Sequence, residues 1–230
     1  AEARRYPASL TKMMTLYLLF EAIEQGRLGM DDALPVSTHA ASMPASKLWL
    51  QAGDSIRVGD AIPALVVRSA NDVAVVVAEA LGGSETAFAQ LMTVRARRMG
   101  MGSTHFSNAS GLPDDAQVTT ARDMATLAVA LMRDFPEYYG EFSRTEFVFR
   151  GKLQRGHNRL LSNYPGADGL KTGFIRASGF NVATSAVRDD RRLIAVVMGG
   201  FTSRSRDEHM ADLLDRGFAR MGLRERTDWL

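Results

Sequence analysis

The chain has 230 residues, 46% of them hydrophobic, which suits one large domain or a domain with a subdomain. Its 28 basic and 26 acidic side chains give a net charge of +2, and this mixed balance argues against a strongly electrostatic nucleic-acid binder. The absence of cysteine excludes disulfides and thiolate metal sites. No stretch approaches the roughly 20 apolar residues that a membrane-spanning helix needs, and no basic-then-apolar leader opens the chain.

The first predicted element is a buried helix over residues 9–25, because apolar side chains occupy most of its faces. Gly26 supplies its end, since glycine accepts left-handed backbone angles. Helical patterns predict further helices over residues 60–68, 71–81, 84–99 and 120–133. Ser69 falls at the break between two of these helices, so we expect Ser69 and Asn71 to lie in a loop. The middle of the chain is therefore predicted to be mostly helical.

After Pro136 the sequence favours strands. Short segments rich in β-branched or apolar residues cover residues 146–150, 170–172, 181–187 and 193–198. The polar residues 188–191 predict a turn that joins the last two segments into an antiparallel hairpin. An amphipathic helix over residues 206–221 is expected to close the chain.

Three short motifs carry the functional signal: Ser9-Leu10-Thr11-Lys12, Ser69-Ala70-Asn71 and Lys171-Thr172-Gly173. A serine hydroxyl is a poor nucleophile until a base removes its proton, and residues i and i+3 of a helix share one face. The first motif therefore predicts that a serine and a lysine touch. Each motif alone is more simply a helix cap, a polar loop or a strand end. Their order, with a helix, a loop and a strand in turn, favours a joint catalytic site.

The chemistry assigns a role to each member of this set. Lys12 must be uncharged part of the time to act as a base, which requires burial or a second positive charge nearby, and Lys171 could supply that charge. Ser69 can relay a proton to the leaving amine, and the Asn71 amide can bind a substrate peptide bond. The backbone amide of Ser9 is a candidate donor to the developing oxyanion. Gly173 is expected to let a substrate strand lie close against the sheet edge.

The motifs and further stretches resemble the low-molecular-mass penicillin-binding proteins, which are serine-type D-alanyl-D-alanine carboxypeptidases. The resemblance covers nearly the whole chain and rests also on Thr104-His105-Phe106-Ser107-Asn108, Thr120-Ala121-Arg122-Asp123-Met124, Asp168-Gly169-Leu170 and Met198-Gly199-Gly200. It implies an α/β (α+β) fold of the β-lactamase/transpeptidase type, with an antiparallel sheet flanked by helices and a helical subdomain inserted over approximately residues 27–145.

The same resemblance implies the site and the partners. Phe174 would give the second oxyanion amide, Thr172 and Gly173 would line the substrate site, and Arg206 would meet the terminal carboxylate of the substrate. The implied substrate is a peptidoglycan stem peptide ending in D-Ala-D-Ala, and β-lactam antibiotics are the implied covalent inhibitors. No cofactor is implied, and the scattered histidines show no metal-ligand spacing. The implied location is periplasmic or otherwise extracytoplasmic, in a bacterium.

Departures from the family pattern define the expected boundaries. We expect a single transpeptidase-like catalytic domain over residues 1–230, with the C-terminal β-rich domain absent. Few residues precede Ser9, so either the N-terminal strands of the sheet are trimmed or the fold tolerates their loss. Peripheral membrane association would need segments outside this sequence. Ile175 stands where the family often has a hydroxyl residue. His157 is a weak candidate for the site and is left out of the catalytic set.

Alternative functions remain open at this point. A D,D-endopeptidase or a β-lactamase of the same superfamily would use the same motifs, although no convincing acidic deacylation residue precedes Lys171-Thr172-Gly173. A non-catalytic peptidoglycan-binding relative is the alternative from a different class.

Overall fold

The computed structural model describes the backbone of residues 1–227 and the side chains of residues 1–222. The helices of this part are α1 (Lys12–Glu24), α2 (Thr38–Ala41), α3 (Val58–Pro63), α4 (Asn71–Gly82), α5 (Glu85–Arg98), α6 (Ala121–Asp134), α7 (Pro136–Tyr139), α8 (Leu160–Asn163) and α9 (Ser203–Thr227). Tighter or wider helical turns cover Ala8–Thr11 and Gly140–Ser143, which are 3-10, and Ala64–Arg68, which is π-helical.

The strands are β1 (Ala33–Pro35), β2 (Ser55–Arg57), β3 (Glu146–Phe149), β4 (Lys152–Arg155), β5 (Ala167–Ile175), β6 (Gly179–Arg188) and β7 (Arg191–Gly200). Within the described residues, β5, β6 and β7 form one antiparallel sheet in that order. The turn between β6 and β7 places Asp189 and Asp190 at positive φ and pairs Arg188 with Arg191. The predicted hairpin is therefore confirmed, while β1, β2 and β4 were not predicted.

Helices cover both faces of this sheet. Neighbouring residues of β6 point to opposite faces, so Val182 packs in a cluster with Met210 and Leu214 of α9, while Ala183 belongs to the large helical core. Helix α6 lies against β6 and β7. The predicted antiparallel sheet flanked by helices is confirmed. The division into a catalytic domain with a helical subdomain stays a prediction.

Helix α1 runs through the middle of the core, as its apolar faces predict. Its neighbours are α4, α5 and α6, and almost every side chain of α1 is buried. The chain enters it through the 3-10 turn Ala8–Thr11, so the α-helix begins at Lys12 and not at Ser9. A core helix that carries a lysine in its first turn places an amine where water does not reach.

Two predictions of local structure around Ser69 need correction. The single helix predicted over residues 60–68 is divided, because Pro63 has no amide hydrogen to continue the bonding of α3, and a π-helical turn follows it. Ser69 adopts a left-handed conformation, with φ 56° and ψ 43°, and ends that turn. Ala70 is extended, and α4 begins at once with Asn71. The loop predicted for Asn71 is therefore wrong, since this residue is the first of a helix.

Along residues 1–227, no helix combines the length and the apolar character that crossing a bilayer requires.

Candidate active site

The proposed nucleophile lies on a turn that is held from two sides. Ser9 is the second residue of the 3-10 turn Ala8–Thr11 and is partly exposed. The side-chain amide of Asn181 on β6 donates to the carbonyl oxygens of Tyr6 (3.0 Å) and Pro7 (3.2 Å) just before this turn. On the other side, Gly111 packs so tightly against the Ala8 carbonyl that a side chain at position 111 would collide with it. The position of Ser9 is therefore fixed by contacts distant in sequence.

Lys12 is fully buried beneath Ser9 and has three polar neighbours. Its Nζ lies 3.0 Å from Ser9 Oγ, 2.8 Å from Asn71 Oδ1 and 2.6 Å from the carbonyl oxygen of Ser110. Burial lowers the pKa of Lys12 well below its usual value, and the charge of Lys171 lowers it further, while Asp72 opposes the shift. The predicted contact between Ser9 and Lys12 and the predicted influence of Lys171 are both present.

Asn71 joins the base to the wall of the cleft. Its Nδ2 donates to the Pro44 carbonyl (2.9 Å), and this contact sets the amide orientation that turns Oδ1 toward Lys12. Its backbone amide donates to the Ser46 carbonyl (2.8 Å). The neighbouring Asp72 carboxylate accepts the backbone amide of Leu48. The start of α4 therefore holds the segment 44–50 at the rim of the site.

Lys171 and Ser69 form the second lysine and serine pair. Lys171 Nζ donates to Ser69 Oγ (3.0 Å) and to the Thr172 carbonyl (2.9 Å). Burial, assisted by the charge of Arg206, lowers the pKa of Lys171 to about 7. Ser69 has a left-handed backbone conformation, and its hydroxyl faces Lys171 on β5. The serine and the lysine predicted to relay protons are in direct contact.

Gly173 has a different structural requirement from the one predicted. A Cβ at this position would lie 2.9 Å from Ser9 N, 3.1 Å from Leu10 N and 3.3 Å from the Pro7 carbonyl oxygen. The first of these approaches is closer than Cβ atoms come to backbone atoms, and the other two are tight, so glycine allows β5 to lie directly against the nucleophile turn. The protein's own backbone takes up the space of this Cβ, and the room that Gly173 makes for a substrate strand stays a prediction.

An open cleft of about 680 Å³ joins these elements. Its lining includes Ser9, Ser69, Asn71, Thr172 and Gly173.

Arg206 and Phe174 lie at the same cleft. The Arg206 side chain is 4% exposed, donates to the Asn181 carbonyl (3.3 Å) and forms an ion pair with Asp207 (2.7 Å). The Phe174 side chain is 52% exposed and packs on Phe180, with 4.4 Å between ring centroids. All of the predicted site residues are thus brought together, although their catalytic and binding roles stay predictions.

The sequence reasoning missed several contributors. The carbonyl of Ser110 accepts a hydrogen bond from Lys12. Ser110 lies two residues after the family-like stretch that ends at Asn108, and this stretch is a signal that could have indicated Ser110. The side-chain oxygen of Asn108 accepts from the Gly111 amide (2.8 Å), and Gln117 binds the backbone amides of Ser107 (3.0 Å) and Asn108 (3.1 Å), so two amide side chains shape this loop. Asn181 had no local signal.

His157, which is not among the predicted catalytic residues, lines the cleft. Burial lowers its pKa, and the nearby charges of Lys171 and Arg68 lower it further. No group of three or more His, Asp or Glu side chains that could hold a metal ion occurs in the described part of the chain.

Comparison with known proteins shows the family of this chain. The family model for D-alanyl-D-alanine carboxypeptidase matches residues 1–202. The D-alanyl-D-alanine carboxypeptidase DacA of Escherichia coli is 37% identical over 225 residues, which cover 95% of this chain and 56% of DacA. The chain thus spans a little over half the length of the curated relatives that it matches.

Solved structures show the same fold. Penicillin binding protein 5 from Haemophilus influenzae superposes with a TM-score of 0.90 at 35% identity, covering 95% of this chain and 65% of that one. Penicillin-binding protein D2 from Listeria monocytogenes, in its cefotaxime-bound form, gives a TM-score of 0.81 at 30% identity, covering 95% and 89%. The fold is thus of the β-lactamase/transpeptidase type, and the chain belongs to the D-alanyl-D-alanine carboxypeptidase family of serine peptidases.

Proposed function

We propose that this protein is a serine D-alanyl-D-alanine carboxypeptidase that removes the terminal D-alanine from peptidoglycan stem pentapeptides. Ser9 attacks the carbonyl between the two D-alanines, the terminal D-alanine leaves, and water hydrolyses the acyl-enzyme. The observation that carries the proposal is the 3.0 Å contact between Ser9 Oγ and the fully buried amine of Lys12. β-Lactam antibiotics would acylate the same serine, as the cefotaxime-bound Listeria protein suggests.

The neighbours of Lys12 support its role as the base. An uncharged amine has two N–H donors and one lone pair. The Asn71 side-chain oxygen and the Ser110 carbonyl can only accept hydrogen bonds, so they take both donors. The lone pair is then left for the remaining neighbour, the hydroxyl of Ser9. This geometry directs the Ser9 proton to Lys12 as the serine oxygen attacks.

The contact between Lys171 and Ser69 suits protonation of the leaving amine. Because the pKa of Lys171 is lowered to about 7, this lysine exchanges protons readily near neutral pH. Lys171 contacts Ser69, so the Ser69 hydroxyl can pass its proton to the departing nitrogen and take a replacement proton from Lys171. The terminal carboxylate of the substrate would lie near Arg206 and Thr172, which line the same cleft.

The developing oxyanion needs two preorganised donors. We assign these to the backbone amides of Ser9 and Phe174. The closeness of Ser9 N to Gly173 supports the assignment, since it brings the nucleophile turn against the strand residue before Phe174. Catalysis on peptidoglycan would place the enzyme outside the cytoplasmic membrane of a bacterium, and we infer a periplasmic or other extracytoplasmic location.

The proposal is tested by labelling with a fluorescent penicillin and by assaying release of D-alanine from a stem pentapeptide. We expect a stable adduct on Ser9, identified by intact mass and peptide mapping, and release of D-alanine. Ser9→Ala should lose both while keeping its thermal unfolding temperature. Undiminished labelling of Ser9→Ala would refute the assignment of the nucleophile. Parallel assays on a cross-linked muropeptide and a penicillin separate carboxypeptidase from endopeptidase and β-lactamase activity.

A further inference from the structure

The direction in which a substrate lies along β5 follows from the proposed function, on which this inference rests. Ser69, the proposed donor to the leaving amine, contacts Lys171, so the leaving D-alanine lies on the Lys171 side of Ser9. A substrate strand antiparallel to β5 then continues on its acyl side past Phe174 and Ile175. The residue that precedes D-Ala-D-Ala therefore meets this end of the cleft.

Four large apolar residues of the cleft lining, Leu112, Phe174, Ile175 and Phe180, are called the apolar wall. Phe174 and Ile175 belong to β5 at this end of the cleft, and Phe180 pairs with Phe174 across the sheet. Phe174 is 52% exposed, and Phe180 packs against its ring with 4.4 Å between centroids. This packing covers part of the ring and reduces the area that a cation could contact through a cation–π interaction. The wall thus offers contact to an apolar group and few hydrogen bonds to a charged one.

The charged side chains that line the cleft have one sign. Arg159 and Arg206 line it, and among the described residues no aspartate or glutamate does. The lowered pKa of His157 favours its uncharged form. The carboxylate of Asp207, which follows the cleft residue Arg206, is bound to Arg206 (2.7 Å) and Arg159 (3.1 Å). An ammonium group brought to the wall would lose water and find no free counter-ion in the cleft lining.

We propose that the apolar wall of Leu112, Phe174, Ile175 and Phe180 selects substrates whose residue before D-Ala-D-Ala carries no positive charge. A diamino acid at that position is accepted best when its side-chain amine is acylated, and a free amine is disfavoured. The same selection applies to β-lactams, whose acyl side chains occupy the acyl side of the acyl-enzyme.

The test compares two peptides that differ by one acetyl group, Nα,Nε-diacetyl-L-Lys-D-Ala-D-Ala and Nα-acetyl-L-Lys-D-Ala-D-Ala. The ratio of their kcat/KM values for D-alanine release should favour the diacetyl peptide by about fivefold or more, as expected for one uncompensated charge in a partly open site. Phe174→Glu supplies a counter-ion and should lower this ratio roughly two- to fivefold. Phe174→Leu keeps the wall apolar and should keep the ratio within about twofold of the original.

Val148→Glu is the matched control, because Val148 is 63% exposed on β3 and lies outside the cleft lining. It should leave the ratio unchanged. Equal kcat/KM values for the two peptides, or an unchanged ratio in Phe174→Glu, would overturn the proposal.

Failure of the proposed function gives a different result. Neither peptide would then release D-alanine, and a fluorescent penicillin would not label Ser9. The selection is still measured in that case, because calorimetric dissociation constants of the two peptides for Ser9→Ala give the ratio without turnover. Equal dissociation constants would refute the proposed selection by the apolar wall, and weaker binding of the peptide with the free amine would support it.

Discussion

Replacing Asn71 with aspartate adds a negative charge beside the proposed base with almost no change in shape. Asn71 Oδ1 lies 2.8 Å from Lys12 Nζ, and both side chains are buried. Two unit charges at this separation attract by ~6 kcal/mol at an effective dielectric constant of about 20. Desolvation of the new carboxylate offsets part of this attraction, and we expect a net ~3 kcal/mol in favour of charged Lys12. The pKa of Lys12 therefore rises in Asn71→Asp.

The assay is the second-order rate of acylation by a fluorescent penicillin, followed by stopped flow from pH 5 to pH 10. Because only uncharged Lys12 can take the Ser9 proton, Asn71→Asp should acylate about a hundredfold more slowly at pH 7 and recover as the pH rises. Asn71→Ala is the matched control. Both variants lose the donor to the Pro44 carbonyl (2.9 Å), and only Asn71→Asp keeps an acceptor for Lys12, so the difference between their pH profiles reports the effect of the carboxylate. An Asn71→Asp profile that rises over the same pH range as that of Asn71→Ala would refute Lys12 as the base.

Two further predictions concern the second lysine and the glycine beside the nucleophile. In the folded protein the pKa of Lys171 is about 7, against 10.5 when unperturbed. Between pH 7 and pH 10.5 the unfolded chain therefore binds more protons than the folded protein. The free energy of unfolding then rises with pH, by up to ~1.4 kcal/mol per pH unit. We expect the free energy of unfolding, measured with urea from pH 7 to pH 9, to rise less steeply in Lys171→Met than in Lys152→Met, whose lysine is exposed. Equal slopes of the unfolding free energy against pH in the two variants would contradict the lowered pKa of Lys171. Gly173→Ala would place a Cβ 2.9 Å from Ser9 N, so we expect penicillin acylation to fall about a hundredfold, whereas Gly102→Ala, with no atom within 4 Å of its Cβ, should acylate normally. A normal rate in Gly173→Ala would show that the nucleophile turn does not depend on this close approach.

The sequence predicted those parts of the site that depend on local spacing. Apolar residues on most faces of α1 indicated a buried helix, and the spacing of Ser9 and Lys12 indicated that the two side chains meet. The strand character around Lys171 placed the third motif on a sheet. These features are set by residues within a few positions of one another, where helix and strand geometry decide the outcome.

Contacts between distant segments were beyond this reasoning. Ser110 accepts a hydrogen bond from Lys12 across 98 positions of sequence, and no local pattern relates the two residues. Asn181 fixes the chain before Ser9 across a larger gap, of 174 positions to Pro7. No glycine in the sequence indicates the left-handed conformation of Ser69. This conformation is imposed by the π-helical turn and by α4, which starts two residues later. In each case the tertiary structure selects one local arrangement from several that the sequence permits.

The two lysines also act on one another, and this coupling orders the proposed reaction. Lys171 lowers the pKa of Lys12, so a proton on either amine makes a proton on the other less favourable. When Lys12 takes the proton of Ser9, its new charge favours release of a proton from Lys171. Lys171 is hydrogen-bonded to Ser69, and the released proton has a direct way to the leaving amine through that hydroxyl. Nucleophilic attack thus prepares the departure of D-alanine, and it does so because two amines are buried in one cleft where their repulsion is weakly screened.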